Sequence, residues 1–285
     1  MGRGFLLARI LVAAAAAVMG ACLPASAQPA APSVPAPQAK PEMNESCPGL
    51  VASRPRPTLA ALQRAALAAD QVRITYAGHS TFLIESPQLV RIATDYNDWV
   101  KPPVLPDIAT MNHAHSTHFT NHPDPGIKFV LRGWREDGRP AGHDISYKDV
   151  RVRSVSTNIR DWGGGTEKNG NSIFVFEIAN MCIAHLGHLH HTLTQQQMND
   201  IGRIDVVMAP VDGNLTLDLD GMVEVLQGLK AQMVIPMHSF SSYTLERFHA
   251  RMQNDFAISS NETPSILVSK TTLPARPTVM VLPGR

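Results

Sequence analysis

Net charge is nearly absent from this chain. Its 285 residues carry 25 Lys or Arg and 24 Asp or Glu, a formal net charge of +1. With no basic stretch, that argues against a nucleic-acid or anionic membrane partner. Cysteine is scarce, with three residues, too few for a disulfide scaffold. Cys47 and Cys182 could pair in an oxidising compartment, or Cys182 could sit as a buried thiol in its apolar strand. The only long apolar run, residues 10–23, is short for a membrane span. Gly163, Gly164 and Gly165 lack the spacing of a phosphate-binding loop. No internal repeat is visible. Hydrophobic residues make up 44% and charged residues 17%, the balance of a globular protein rather than a disordered one.

The N-terminus reads as a targeting segment. Arg3 and Arg9 precede the apolar run, and Ala25-Ser26-Ala27 gives a small-x-small cleavage pattern. The expected organisation is a signal peptide over 1–27, a Pro/Ala-rich linker over 28–57 and one folded domain over 58–285. A periplasmic or secreted location follows, with no stable membrane insertion after cleavage.

Histidine is plentiful. The chain has 12, most of them in two short stretches, 113–122 and 185–191. The first holds His113, His115 and His118 directly after the buried strand pattern Ile108-Ala109-Thr110-Met111. Imidazole is the commonest neutral ligand for a divalent metal, and a strand end holds it rigidly. Two more strand patterns end in histidine. Met181 to Ala184 leads to His185 and His188, and Met233 to Pro236 leads to His238. His113, His115, His118, His185, His188 and His238 are therefore candidate metal ligands. His190 and His191 could lie just behind them or merely be exposed. His122, His143 and His249 read as structural.

The order of elements sets the fold class. Alternating apolar patterns predict strands at 72–76, 81–85, 89–94, 129–131 and 150–155. Strand and helix then alternate. Thr194 and Gln197 form a capping-box signature, and a helix opened by Asp220 carries Met222, Val225, Leu226 and Leu229 on one face. Another helix is expected over 244–252, and an amphipathic turn of helix over 58–70. Strands first and alternation later fit an α/β (α+β) protein, an αββα sandwich of two sheets flanked by helices.

Several pieces together resemble the metallo-β-lactamase superfamily, and most closely its ascorbate-6-phosphate lactonase-like branch. They are the stretch from Ile74 to Glu85, His113-Ala114-His115-Ser116-Thr117-His118, Ile183 to His188, Ala209 to Gly213, and Val234 to His238. The resemblance covers residues 72–240. It implies a metal-dependent hydrolase in which a metal-bound hydroxide attacks an ester, lactone, amide or phosphoester of a small molecule. The chain departs from the family at three places. Thr117 and His188 stand where the family usually has aspartates, and Thr157 or Asn158 where it has a histidine. Without those carboxylates two divalent ions would repel strongly in a low-dielectric pocket. One Zn²⁺ ion on imidazoles is the expectation, with other divalent transition metals admissible. Asp95 and Asp161 are candidates to orient a ligand imidazole or accept a proton. His79 is a candidate to contact substrate. The same replacements also admit a metal-binding protein without hydrolytic activity.

Overall fold

The computed structural model describes residues 67–161 and 163–284. The expected signal peptide, the linker, Cys47 and nearly all of the 58–70 helix lie outside them. Residues 67–70 form a turn rather than a helix.

Alternating burial in the first strand, β1 (Val72–Gly78), already shows a sheet with one face inward. It pairs antiparallel with β2 (Thr81–Glu85), and β2 pairs with β3 (Arg91–Ala93). Two parallel neighbours follow, β4 (Ile108–Met111) and β5 (Phe129–Arg132). The late strand β13 (Ser265–Val268) pairs with β1 and completes a six-stranded sheet.

The second sheet has eight strands. An antiparallel run of β6 (Asp144–Tyr147), β7 (Val150–Arg160), β8 (Thr166–Ile178) and β9 (Met181–His185) makes one half. The chain then winds in parallel through β10 (Val206–Pro210), β11 (Met233–Met237), β14 (Thr278–Val281) and β12 (Ala257–Ser260). Helices α1 (Gln195–Ile201), α2 (Leu219–Leu229) and α3 (Ser242–Met252) make the crossovers. Thr194 caps α1 in the capping box expected from sequence.

Period-two alternation sorts the side chains into layers. Phe174 and Phe176 face Ile74, Phe82 and Ile92 between the sheets, while Val175 between them faces the helices. Val207 and Ala209 likewise meet Met222, Leu226 and Phe248 on the outer face. All three described helices cover the eight-stranded sheet. The outer face of the six-stranded sheet packs under Tyr96, Ile127 and Trp134 from loops. Among the described residues no helix is long and apolar enough to cross a membrane. Cys182, buried on β9, is disulfide-bonded rather than a free thiol.

Candidate metal centre

Strand direction brings the chemistry to one edge. β9, β10 and β11 are parallel, so their C-terminal ends align. His185 ends β9, with His188 just beyond. Asp212 follows β10 and His238 follows β11. In the other sheet β3 and β4 are parallel, and Asp95 and the 113–118 turn follow them. His79 sits in the β1–β2 turn and meets the same edge. Its carbonyl accepts the His238 main-chain N–H at 2.8 Å, which ties the two turns together. His79, Asp95 and His238 adopt left-handed φ of 52°, 42° and 55°. Side chains rarely tolerate that region, and such residues gather at functional sites.

His79, His115, His118 and His238 each offer one ligand atom, and the four atoms lie within 4.8 Å of one another. Two of these imidazoles are aimed by carboxylates. His118 Nδ1 lies 2.6 Å from Asp95 Oδ2. Asn112 Nδ2 donates to the other Asp95 oxygen at 3.0 Å. His238 Nδ1 lies 3.0 Å from Asp212 Oδ1. Asp212 also accepts from the main-chain N–H groups of Asn214, Leu215 and Thr216 and from the Thr216 hydroxyl. A carboxylate on Nδ1 holds the proton there and leaves a lone pair on Nε2. His118 Nε2 and His238 Nε2 are both buried and without a partner. Two orphaned lone pairs facing one point, each backed by a carboxylate, fit a divalent cation. The four clustered groups include no carboxylate, and the negative charge comes from Asp95 and Asp212 behind the rings.

The other histidines bond to one another. His115 Nδ1 meets the Thr117 hydroxyl at 2.8 Å, and that hydroxyl meets His79 Nε2 at 2.8 Å. His115 Nε2 lies 3.1 Å from His188 Nε2. His188 Nδ1 lies 2.5 Å from His190 Nε2. The two residues that depart from the superfamily pattern, Thr117 and His188, thus take their places as hydrogen-bonding groups.

Three expected site residues stand elsewhere. His113 turns away from the cluster, stacks on Trp134 at 4.9 Å and pairs with Glu167 at 2.7 Å. His115, two residues on, faces the cluster instead. His185 is buried with both nitrogens engaged, Nε2 at the Ser80 carbonyl and Nδ1 at the Gly187 N–H. It ties the sheets together and has no lone pair to spare. Asp161 accepts from the Gly163 and Gly165 N–H groups and shapes the β7–β8 hairpin. Thr157 bonds to Asn171, and Asn158 to the main chain of Asn169. Sequence reasoning missed Asp212 as a site residue, although its place after a buried parallel strand marked the same edge. His190, which the sequence places either just behind the ligands or at the surface, is a hydrogen-bond partner of His188.

Electrostatics favour neutral rings. Burial pushes His118 and His188 well below the ordinary imidazole value, helped by neighbouring histidines. His79 and His190 are pushed down to about 4, mainly by burial. Burial alone would raise Asp212, but hydrogen bonds from His238, Thr216 and the Asn214 N–H hold it well below the usual carboxylate range. Burial raises Asp95, offset in part by His185 and Asn112. Neutral imidazole is the form that binds a metal.

A cavity of about 430 Å³ opens beside His79, lined by Tyr76, Ser239, Phe240, Ser242 and Leu245 among others. Phe240 is 59% exposed yet lies 4.8 Å from the His238 ring. This is room for a small organic molecule next to the cluster.

A two-sheet sandwich flanked by helices, with histidines gathered at the joined strand ends, is the architecture of the metallo-β-lactamase fold. The sequence model described as a beta-lactamase superfamily domain matches residues 73–238, and the chain belongs to that superfamily. It is 25% identical over 206 residues to a UPF0173 metal-dependent hydrolase of Thermoplasma acidophilum, covering 64% of this chain and 91% of that protein. It is 28% identical over 183 residues to a UPF0173 metal-dependent hydrolase of Nanoarchaeum equitans, covering 59% and 83%. Among solved structures it is similar to a Thermotoga maritima protein of the metallo-beta-lactamase superfamily. The TM-score is 0.56 at 25% identity, over 75% of this chain and all of that one.

Proposed function

We propose that this chain is an exported metal-dependent hydrolase that holds a single zinc ion. His118 and His238 bind it, with His115 and His79 alongside. The observation that carries this reading is the pair of buried, unpartnered Nε2 atoms on His118 and His238. Relatives named metal-dependent hydrolase support it. Zinc on histidines supplies a Lewis acid that polarises a carbonyl or phosphoryl oxygen and brings its water to a pKa of ~7.

The chain's own residues supply the rest. Asp95 and Asp212 fix the two ligand rings and balance the charge. Phe240 and the cavity beside His79 receive the apolar part of a small ester, lactone, amide or phosphoester. His79 stands between that cavity and the cluster, where it contacts substrate. The signal-like residues 1–27 and the disulfide at Cys182 support export to a periplasm or the exterior.

Elemental analysis of the purified chain, paired with turnover on an esterase, lactonase and phosphodiesterase panel, tests the proposal. One zinc per chain and hydrolysis lost in His118→Ala and His238→Ala are expected. Two ions per chain would overturn the single-ion reading. One ion with no turnover on any substrate would favour a metal-binding protein that has lost its chemistry, which the carboxylate replacements at Thr117 and His188 already suggest.

A further inference from the structure

We propose that the Arg160 main-chain N–H and His190 lock a one-way hydrogen-bond chain through His188 and His115 to the Thr117 hydroxyl. In this lock His188 presents an N–H donor, not a lone pair, to the pocket.

The direction follows from one group that cannot reverse. The Arg160 main-chain N–H can only donate, and it lies 2.6 Å from His190 Nδ1. That nitrogen must carry a lone pair, so the ring's hydrogen is on Nε2. His190 Nε2–H therefore donates to His188 Nδ1, 2.5 Å away. His188 in turn has its hydrogen on Nε2 and donates to His115 Nε2 at 3.1 Å. His115 then carries its hydrogen on Nδ1 and donates to Thr117 Oγ1 at 2.8 Å. The series ends at the Thr117 hydroxyl, which has a second lone pair and its own hydrogen and so meets His79 Nε2 at 2.8 Å as acceptor or donor. His190, His188 and His115 each accept at one nitrogen and donate at the other, so all three rings are neutral.

The backbone around the series is also pinned. The His188 N–H donates to Asn171 Oδ1 at 2.8 Å, and Asn171 Nδ2 donates to Thr157 Oγ1 and the Leu186 carbonyl. Turning the His188 ring to offer Nδ1 would break its contacts with both His190 and His115. The chain does not conduct protons to solvent, because it starts at a peptide N–H. It acts as a lock on tautomers.

The tautomers stand without any metal. Their consequence for the ligand set rests on the metal reading above. His115 Nε2 is committed to the His188 donor, whereas His118 Nε2 and His238 Nε2 are buried and unpartnered. His188, at a position where the superfamily usually has a ligand carboxylate, is here a positioning residue that sets how His115 faces the pocket.

The test is nitrogen NMR of the imidazoles in the full, chelator-treated chain. His188 and His190 should show a protonated Nε2 and an unprotonated Nδ1, and His115 the reverse. In His190→Ala the His188 signals should average between tautomers. In His190→Gln, whose amide can accept from Arg160 and donate to His188, they should not. An unprotonated His188 Nε2 in the parent chain would overturn the lock. So would a His188 pattern unmoved in His190→Ala. Zinc affinity gives a second arm. His188→Gln keeps a donor but has no imidazole lone pair, and should bind zinc within about threefold of the parent. A loss of about tenfold or more, the size seen when metal-site groups are removed, would make His188 a ligand. A parent chain that binds no zinc would sink the metal reading alone, and the nitrogen spectra would still decide the lock.

Discussion

Asp95 Oδ2 and His118 Nδ1 face each other at 2.6 Å with both side chains fully buried. This contact fixes which nitrogen of His118 looks into the pocket. Asp95→Asn tests it with almost no change of shape. An asparagine oxygen can still accept from Asn112, which turns its NH₂ toward His118 Nδ1. That nitrogen must then accept, the ring hydrogen moves to Nε2, and the lone pair aimed at the metal is lost. Zinc affinity should fall about 10–100-fold, read by competition with a chromogenic chelator. Unchanged affinity would mean that His118 is not a ligand.

Zinc should stabilise the folded chain. At a free concentration 100 times its Kd, one site adds about 2.7 kcal/mol. For a domain of this size that raises Tm by about 5–10 °C. Chelator should remove the gain and zinc restore it, and Asp95→Asn, with affinity down about 10–100-fold, should keep about 0.4–1.4 kcal/mol of it at the same zinc concentration. A Tm indifferent to zinc and chelator, followed by scanning calorimetry, would count against a site formed only in the fold.

How much of this was legible beforehand depends on the kind of signal. Strand ends were readable because apolar runs such as Ile108–Met111 and Thr81–Glu85 are bounded sharply by polar residues. The two-sheet class followed from their order. The edge strands β6 and β12 were not foreseen, because Asp144–Tyr147 and Ala257–Ser260 bury little and carry weak patterns. In the site, residue type pointed to the edge but not to the rotamer. His113 and His115 both sit in His-x-His-x-x-His, yet one packs on Trp134 and the other enters the cluster. That choice is made by Trp134 and Glu167, residues 21 and 54 positions along. Asp212 lies in the Ala209–Gly213 stretch, but its role shows only when the parallel β10 and β11 bring it to His238, and His79, a substrate-contact candidate by resemblance, enters from the antiparallel β1–β2 turn.

Acid should destabilise the metal-free chain well above the carboxylate range. His79 and His190 are held near 4 in the fold by burial, and burial also lowers His115, His118, His185 and His188. In the unfolded chain each titrates near 6.5. Between about pH 6.5 and 4 the unfolded state therefore binds more protons, so stability falls as pH falls. Asp95, raised by burial, has the opposite sign, but it is one group against six. Asp212 is held low, so the stability it adds is present above about pH 3.9 and is lost only in stronger acid. Denaturant midpoints should drop steadily from pH 7 to 5. A flat profile over that range would show that these rings are not neutral in the fold.

Gly187→Ala should damage both structure and site. Gly187 has φ of 62°, and a Cβ there would lie 2.3 Å from Asn171 Oδ1 and 2.4 Å from Asn112 Nδ2. Neither amide can yield freely. Asn171 Oδ1 holds the His188 N–H, and Asn112 Nδ2 holds Asp95. A matched control is Gly138→Ala, where φ is 69° and nothing lies within 4 Å of the added Cβ. The control carries only the conformational penalty, about 1 kcal/mol. Gly187→Ala adds the clash and should reach about 2–3 kcal/mol, with zinc affinity falling alongside. Urea midpoints of the two variants measure the difference. Equal losses would mean that the Asn112 and Asn171 amides relax away from the methyl, and that their grip on Asp95 and His188 is looser than the packing around Gly187 indicates.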